Sequence, residues 1–163
     1  QQRSIYATNI WIACKPLTGG GDSMISSNDR SDLEQSLFQV QTQIASTRTS
    51  LSAIAAYDRS TSILRRSAFI LDRRLDFGDW YSRECLSEAE TILEVAKSWV
   101  ADGSERCLIW DEGCPHEGWY ETVLPQEIKL LDDECRALAK FCATLKASLD
   151  LKSVIEMVSE LGL

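Results

Sequence analysis

Leu33, Leu37, Val40, Ile44, Thr47, Leu51 and Ile54 recur in alternating steps of four and three. On an α-helix this spacing lines the side chains up as one seam, because residues three and four apart fall on the same face. Ser31 and Glu34 form an S-x-x-E capping box ahead of the seam. Asp32 supplies an acid where the helix dipole favours one. A helix is therefore expected to open at 31. No Gly or Pro interrupts the chain from Gly21 to Gly78, so it can run far. Near Tyr57 the register slips to Tyr57, Thr61, Leu64, Ala68, Leu71 and Leu75. A turn through Asp58-Arg59-Ser60-Thr61-Ser62, which offers three N-cap candidates, lets a second helix fold back on the first. One unbroken helix would instead leave its apolar seam without a partner inside the chain.

The same signals continue downstream. Gly78 suits the left-handed position after a helix, and Asp79 or Ser82 opens the next. The third seam is Cys85, Ala89, Ile92, Ala96 and Trp99, reinforced by Leu86, Leu93 and Val100, with Gly103 as its stop. Pro125 suits the first turn of a fourth helix, whose seam is Ile128, Leu131, Cys135, Leu138, Cys142, Leu145 and Leu149. Asp150 is expected to cap a short C-terminal helix, with Leu151, Val154, Ile155, Val158 and Leu161 inward and Gly162 at its end. The fold class is mainly α: an antiparallel bundle of four long helices plus a short one.

Two segments depart from that pattern. Residues 1–30 read as an extended segment and linker, with strand-like Ile5-Tyr6-Ala7-Thr8 and Ile10-Trp11-Ile12-Ala13 before Pro16 and Gly19-Gly20-Gly21. No G-K-S/T follows the glycines, so they read as a connector rather than a phosphate loop. Residues 104–124 are too long and apolar for a bundle turn. Cys107-Leu108-Ile109-Trp110 and Trp119-Tyr120-Glu121-Thr122-Val123-Leu124 are expected to pair as a β-hairpin around the loop 111–118. The organisation expected is one domain over 1–163: linker 1–30, helices 31–103, hairpin 104–124, helices 125–163.

Seventeen basic against 25 acidic residues leave a formal charge of −8. An acidic surface argues against nucleic acid and anionic membranes, which bind by exchanging counterions for basic side chains. No apolar run reaches the length of a membrane span, and no leader peptide is expected. Asn9 and Asn28 lie in no N-x-S/T sequon. A cytoplasmic placement is slightly favoured over a secreted one.

Long connections often hold function, so the 104–124 segment is the first place to seek chemistry. Cys107, Cys114 and His116 are weak zinc candidates: the residue types fit, but no C-x2-C or H-x3-H spacing is present and His116 is the only histidine. Cys107 and Cys114 are also the local disulfide candidates in an oxidising compartment. Cys114 beside His116 has the residue types of a nucleophile–base pair, without a third orienting group. No catalytic residue is assigned and no cofactor is implied. Glu88, Glu90, Glu94 and Asp132-Asp133-Glu134 read as solvated helix faces. Cys85, Cys135 and Cys142 occupy seam positions and read as buried thiols, with pKa values raised by burial.

Two surface features remain. Arg59, Arg66 and Arg73 fall seven apart on the second helix, beside Arg65 and Arg74. They read either as an anion or acidic-partner site or as partners of Asp72, Asp76 and neighbouring acidic faces. The first helix carries a single charge, Arg48, between Gln35 and Tyr57. Its Gln39, Gln43, Ser46 and Ser50 are interface candidates, because small neutral side chains permit close approach without burying ions. The function expected is a non-enzymatic helical interaction or assembly module, meeting a protein partner or a second copy. The alternatives are a secreted, disulfide-stabilised helical protein that binds a small ligand or host surface, and an enzyme or metal site built on 104–124.

Overall fold

A computed structural model describes residues 27–57 and 62–162. Four α-helices account for most of it: α1 (Ser27–Tyr57), α2 (Ser62–Phe77), α3 (Arg83–Ile109) and α4 (Leu124–Leu161). A π-helical turn, Trp119–Val123, leads directly into α4. The strand-like N-terminal segment, the glycine run, Cys14, Arg59 and all of the expected 58–62 turn except Ser62 lie outside the described residues.

The helices form a closed ring in which each packs on the next and α4 returns to α1. Cross-helix pairs give the directions. Arg48 of α1 meets Asp72 and Asp76 of α2, while Ala55 near the end of α1 meets Arg65 near the start of α2, so the two run antiparallel. Arg74 reaches Glu88 near the start of α3, and Arg83 reaches Asp150 while Gly103 lies on Ile128. Each neighbour is thus reversed, and α4 runs antiparallel to α1. The chain folds back after Tyr57, as the register slip implies.

The seams fill the interior. All seven ladder positions of α1 are buried, as are Leu64, Ala68, Leu71 and Leu75 of α2. Cys85, Ala89, Ile92 and Ala96 of α3 and Ile128 through Leu149 of the α4 ladder join them. Trp80, in the α2–α3 turn, closes one end of this core. Gly78 takes φ 78°, the left-handed geometry expected of it, and the Ser82 hydroxyl accepts from the Cys85 N–H as N-cap.

Four expectations need correction. First, α1 opens at Ser27, so Ser31 and Glu34 lie inside the helix rather than capping it, and Asp29 is the acid of the first turn. Second, Gly103 does not end α3. It is buried, and a Cβ there would overlap the Ile128 side chain. Its missing side chain makes room for α4 instead of breaking the helix.

Third, no strand occurs among the described residues, and 104–124 is not a hairpin. Residues 104–109 are the last turns of α3. Beyond them the backbone donors find acceptors close along the chain: Cys114 N–H to Asp111 O, Glu117 N–H to Cys114 O, and the Trp119 and Tyr120 N–H groups to His116 O. Local turns satisfy the groups that a cross-strand ladder would have used. Fourth, Asp150 caps nothing. α4, 38 residues in all, runs unbroken through it, and the Asp150 carboxylate pairs with Arg83 and Lys146. Past that point Ile155 is buried, but Val154 and Leu161 face outward.

Candidate interaction surface

The one charge in the middle of α1 turns out to be a clamp. Arg48 Nε lies 2.9 Å from Asp72 Oδ1, and another guanidinium nitrogen lies 2.9 Å from Asp76 Oδ1. Asp72 and Asp76 are one turn apart, so a single guanidinium spans both. All three side chains are about two-thirds shielded or more, at 28%, 32% and 26% exposure. These hydrogen bonds pin α2 to α1 beside the buried seam of Leu71 and Leu75.

The clamp changes the reading of the arginine row. Asp72 and Asp76, the acids expected to neutralise it, are engaged by α1. Arg74 belongs to another cluster: it approaches Glu88 at 3.1 Å and Asp79 at 3.3 Å. Arg66 and Arg73 point outward, and among the described residues neither carries an ion pair. Arg73 instead stacks on aromatic rings, with its guanidinium carbon 4.6 Å from the Phe77 centroid and 5.9 Å from that of Phe69. Phe69 is 63% exposed and Phe77 59%, with Ile70 exposed beside them. A cation–π contact of this kind uses no N–H group in an ion pair.

The neutral positions of α1 divide. Ser50 is 1% exposed, so in this fold it faces the interior rather than a partner. Its hydroxyl donates to Ser46 O, as buried Thr47 donates to Gln43 O. Gln43 donates through Nε2 to Thr144 of α4 at 3.1 Å and is half-buried. Gln43 is thus engaged by α4, and Thr47 and Ser50 lie in the interior of the bundle. Gln39 and Ser46 are exposed, and so is the large apolar Phe38. Arg59 lies outside the described residues.

A recess of ≈ 400 Å³ opens between α2 and α3, lined by Leu64, Ser67, Ser87, Thr91, Ile92 and Val95 among others. Serines and a threonine cannot fill the space that larger apolar side chains occupy elsewhere between helices.

The 104–124 segment does not gather its polar residues into a centre. Cys107 lies in the last turns of α3, Cys114 in the following loop, and His116 is exposed on the approach to the π turn. His116 acts through its backbone carbonyl, which accepts from Trp119 and Tyr120. No group of three His, Cys, Asp or Glu side chains among the described residues is placed to hold a metal ion. The five described cysteines are free thiols, including Cys107 and Cys114. Burial pushes the Cys85 and Cys142 thiols up to about 12, with Glu88 adding to the effect at Cys85 and Glu90 at Cys142. Burial also raises Cys135, followed by the charge of Asp132. Such thiols stay protonated and unreactive at neutral pH. The tryptophans of the segment stack locally: Trp110 lies parallel to Tyr120 and Trp119 meets it edge-on.

Sequence reasoning overlooked Phe38, Phe69, Ile70 and Phe77. The signal was present: all four fall off the seams that the ladders define, and large apolar side chains at outward positions are what a docking face requires. No protein-family model matches the chain, no characterised protein matches it in sequence, and no solved structure matches its fold. No helix among the described residues is long and apolar enough to cross a membrane.

Proposed function

We propose that the protein is a non-enzymatic helical interaction module that docks a protein partner through the outer sides of α1 and α2. The observation that carries this reading is the composition of α2's outward side. Phe69, Ile70 and Phe77 stand exposed on a helix of 16 residues, with Arg73 stacked among them. Aromatic residues and arginine are the types enriched where binding energy concentrates, and contiguous exposed apolar side chains mark interaction sites. Phe38 on neighbouring α1 is exposed as well, while Asp72 and Asp76 are engaged by Arg48.

Site-specific photo-crosslinking tests the proposal. Benzoylphenylalanine in place of Phe69 should yield adducts of discrete mass in extracts of the source cells. The same group in place of exposed Glu94 on α3 should yield none. Equal labelling at both positions, or no adduct at Phe69, would argue against a docking surface on α2.

A further inference from the structure

We infer that the outward face of α2, made by Arg66, Phe69, Arg73 and Phe77, receives an acidic amphipathic helix of a partner protein. This inference rests on the interaction-module reading and names the chemistry of the partner. The four residues are spaced three, four and four apart, so they form one stripe about 16 Å long on the helix surface. That length matches the contact one short helix makes when laid alongside another.

Charge identifies the occupant. The chain carries −8 overall, yet this stripe is basic and locally uncompensated. Asp72 and Asp76 are held by Arg48, and Arg74 is occupied by Glu88 and Asp79. Arg66 and Arg73 are therefore the α2 cations whose attraction has no ion-pair outlet among the described residues. Arg65 is engaged elsewhere, at the Ala55 carbonyl. Cation–π contact with the Phe77 and Phe69 rings places the Arg73 guanidinium on the stripe, where its N–H groups can grip a carboxylate in two-point fashion. A partner bearing carboxylates is attracted here and repelled by the acidic remainder of the surface, which sets its orientation. A partner bearing apolar side chains between those carboxylates covers Phe69 and Phe77.

Other occupants fit less well. A second copy docking through the same stripe about a two-fold axis would set basic stripe against basic stripe. An anionic bilayer is recognised by clusters of about four to eight basic side chains, more than α2 offers outward, and the surrounding acidic surface opposes it. An acidic helix needs neither symmetry nor a large basic field.

The test is fluorescence anisotropy with the full chain and three labelled helical peptides that share one leucine face. Their flanking positions carry glutamate, glutamine or lysine. The glutamate peptide should bind best, with affinity falling on added salt. Arg66→Glu combined with Arg73→Glu should weaken it at least tenfold and should bind the lysine peptide instead. Phe69→Ala with Phe77→Ala should weaken the glutamate and glutamine peptides alike. Circular dichroism of each variant should match the unmodified protein, since all four side chains face outward. Equal binding of the three peptides, or no effect of charge reversal, would overturn the inference. So would Arg66- and Arg73-dependent binding to phosphatidylserine–phosphatidylcholine vesicles in place of peptide, or a dimeric native mass that charge reversal abolishes. Photo-crosslinking at Phe69 that persists while the glutamate peptide fails would overturn the acidic partner alone and leave the interaction module standing.

Discussion

α4 and α2 are held in the same bundle by different forces. α4 packs along its length on α1 and α3, and its ladder from Ile128 to Leu149 is buried, with Phe141 added. Its register is set by close apolar fit, as where Gly103 of α3 admits the Ile128 side chain. α2 is less than half as long, at 16 residues against 38. It buries Leu64, Ala68, Leu71 and Leu75, is pinned to α1 by the Arg48 clamp, leaves a recess against α3, and keeps Phe69, Ile70 and Phe77 in solvent. Apolar packing is strong and does not distinguish partners; ion pairs add direction but little net stability. A bundle built this way has a firm side and a side free to present a surface.

The largest effect should come from breaking the firm side. Leu138 is fully buried in the middle of α4. Leu138→Ala should cost about 2–5 kcal/mol, from lost transfer energy plus the cavity left behind. A denaturant titration measures it, and a loss below about 1 kcal/mol would mean that α4 is not the firm element. On the other side, Arg48→Ala should cost about 1–2 kcal/mol, because it removes the guanidinium that bridges two partly shielded carboxylates one turn apart. That value sits above an ordinary surface pair and below a core truncation. A loss as large as that of Leu138→Ala would erase the contrast.

The smallest effect sharpens the comparison. Gly103→Ala should destabilise by about 1 kcal/mol, since the new methyl meets Ile128. In an Ile128→Ala background the same change should stabilise by up to about 1 kcal/mol, because alanine is the better helix former. The reversal of sign in this double-mutant cycle isolates the contact. An equal effect in both backgrounds would mean that Gly103 and Ile128 are not coupled.

Much of the fold was legible because seam spacing follows from helix geometry alone. Every α1 ladder residue from Leu33 to Ile54 is buried, and the α4 ladder likewise. What misled was local chemistry whose meaning depends on tertiary context. Gly103 has a stop signal's composition and a packing role. Asp150 resembles a cap but finds Arg83 from another helix. Cys107-Leu108-Ile109-Trp110 has strand propensity, yet no second strand among the described residues meets it, and α3 runs through most of it. The candidate surface was half legible. The outward arginines could be read from their spacing of seven, whereas the absence of a carboxylate partner depends on Arg48, which comes from a different helix. Ser50 shows the converse: a small neutral side chain permits close approach, but sequence does not say whether the approaching helix belongs to the same chain.

Amide hydrogen exchange read by mass spectrometry tests the contrast between the two helices most directly. Amides of α2 should exchange through local opening, well before those of the α4 core between Leu131 and Leu149. Arg48→Ala should speed exchange in α2 selectively and leave the α4 core protected. Equal protection of α2 and α4 in the unmodified protein, with both lost together in Arg48→Ala, would contradict the division of the bundle into a firm side and a presenting side.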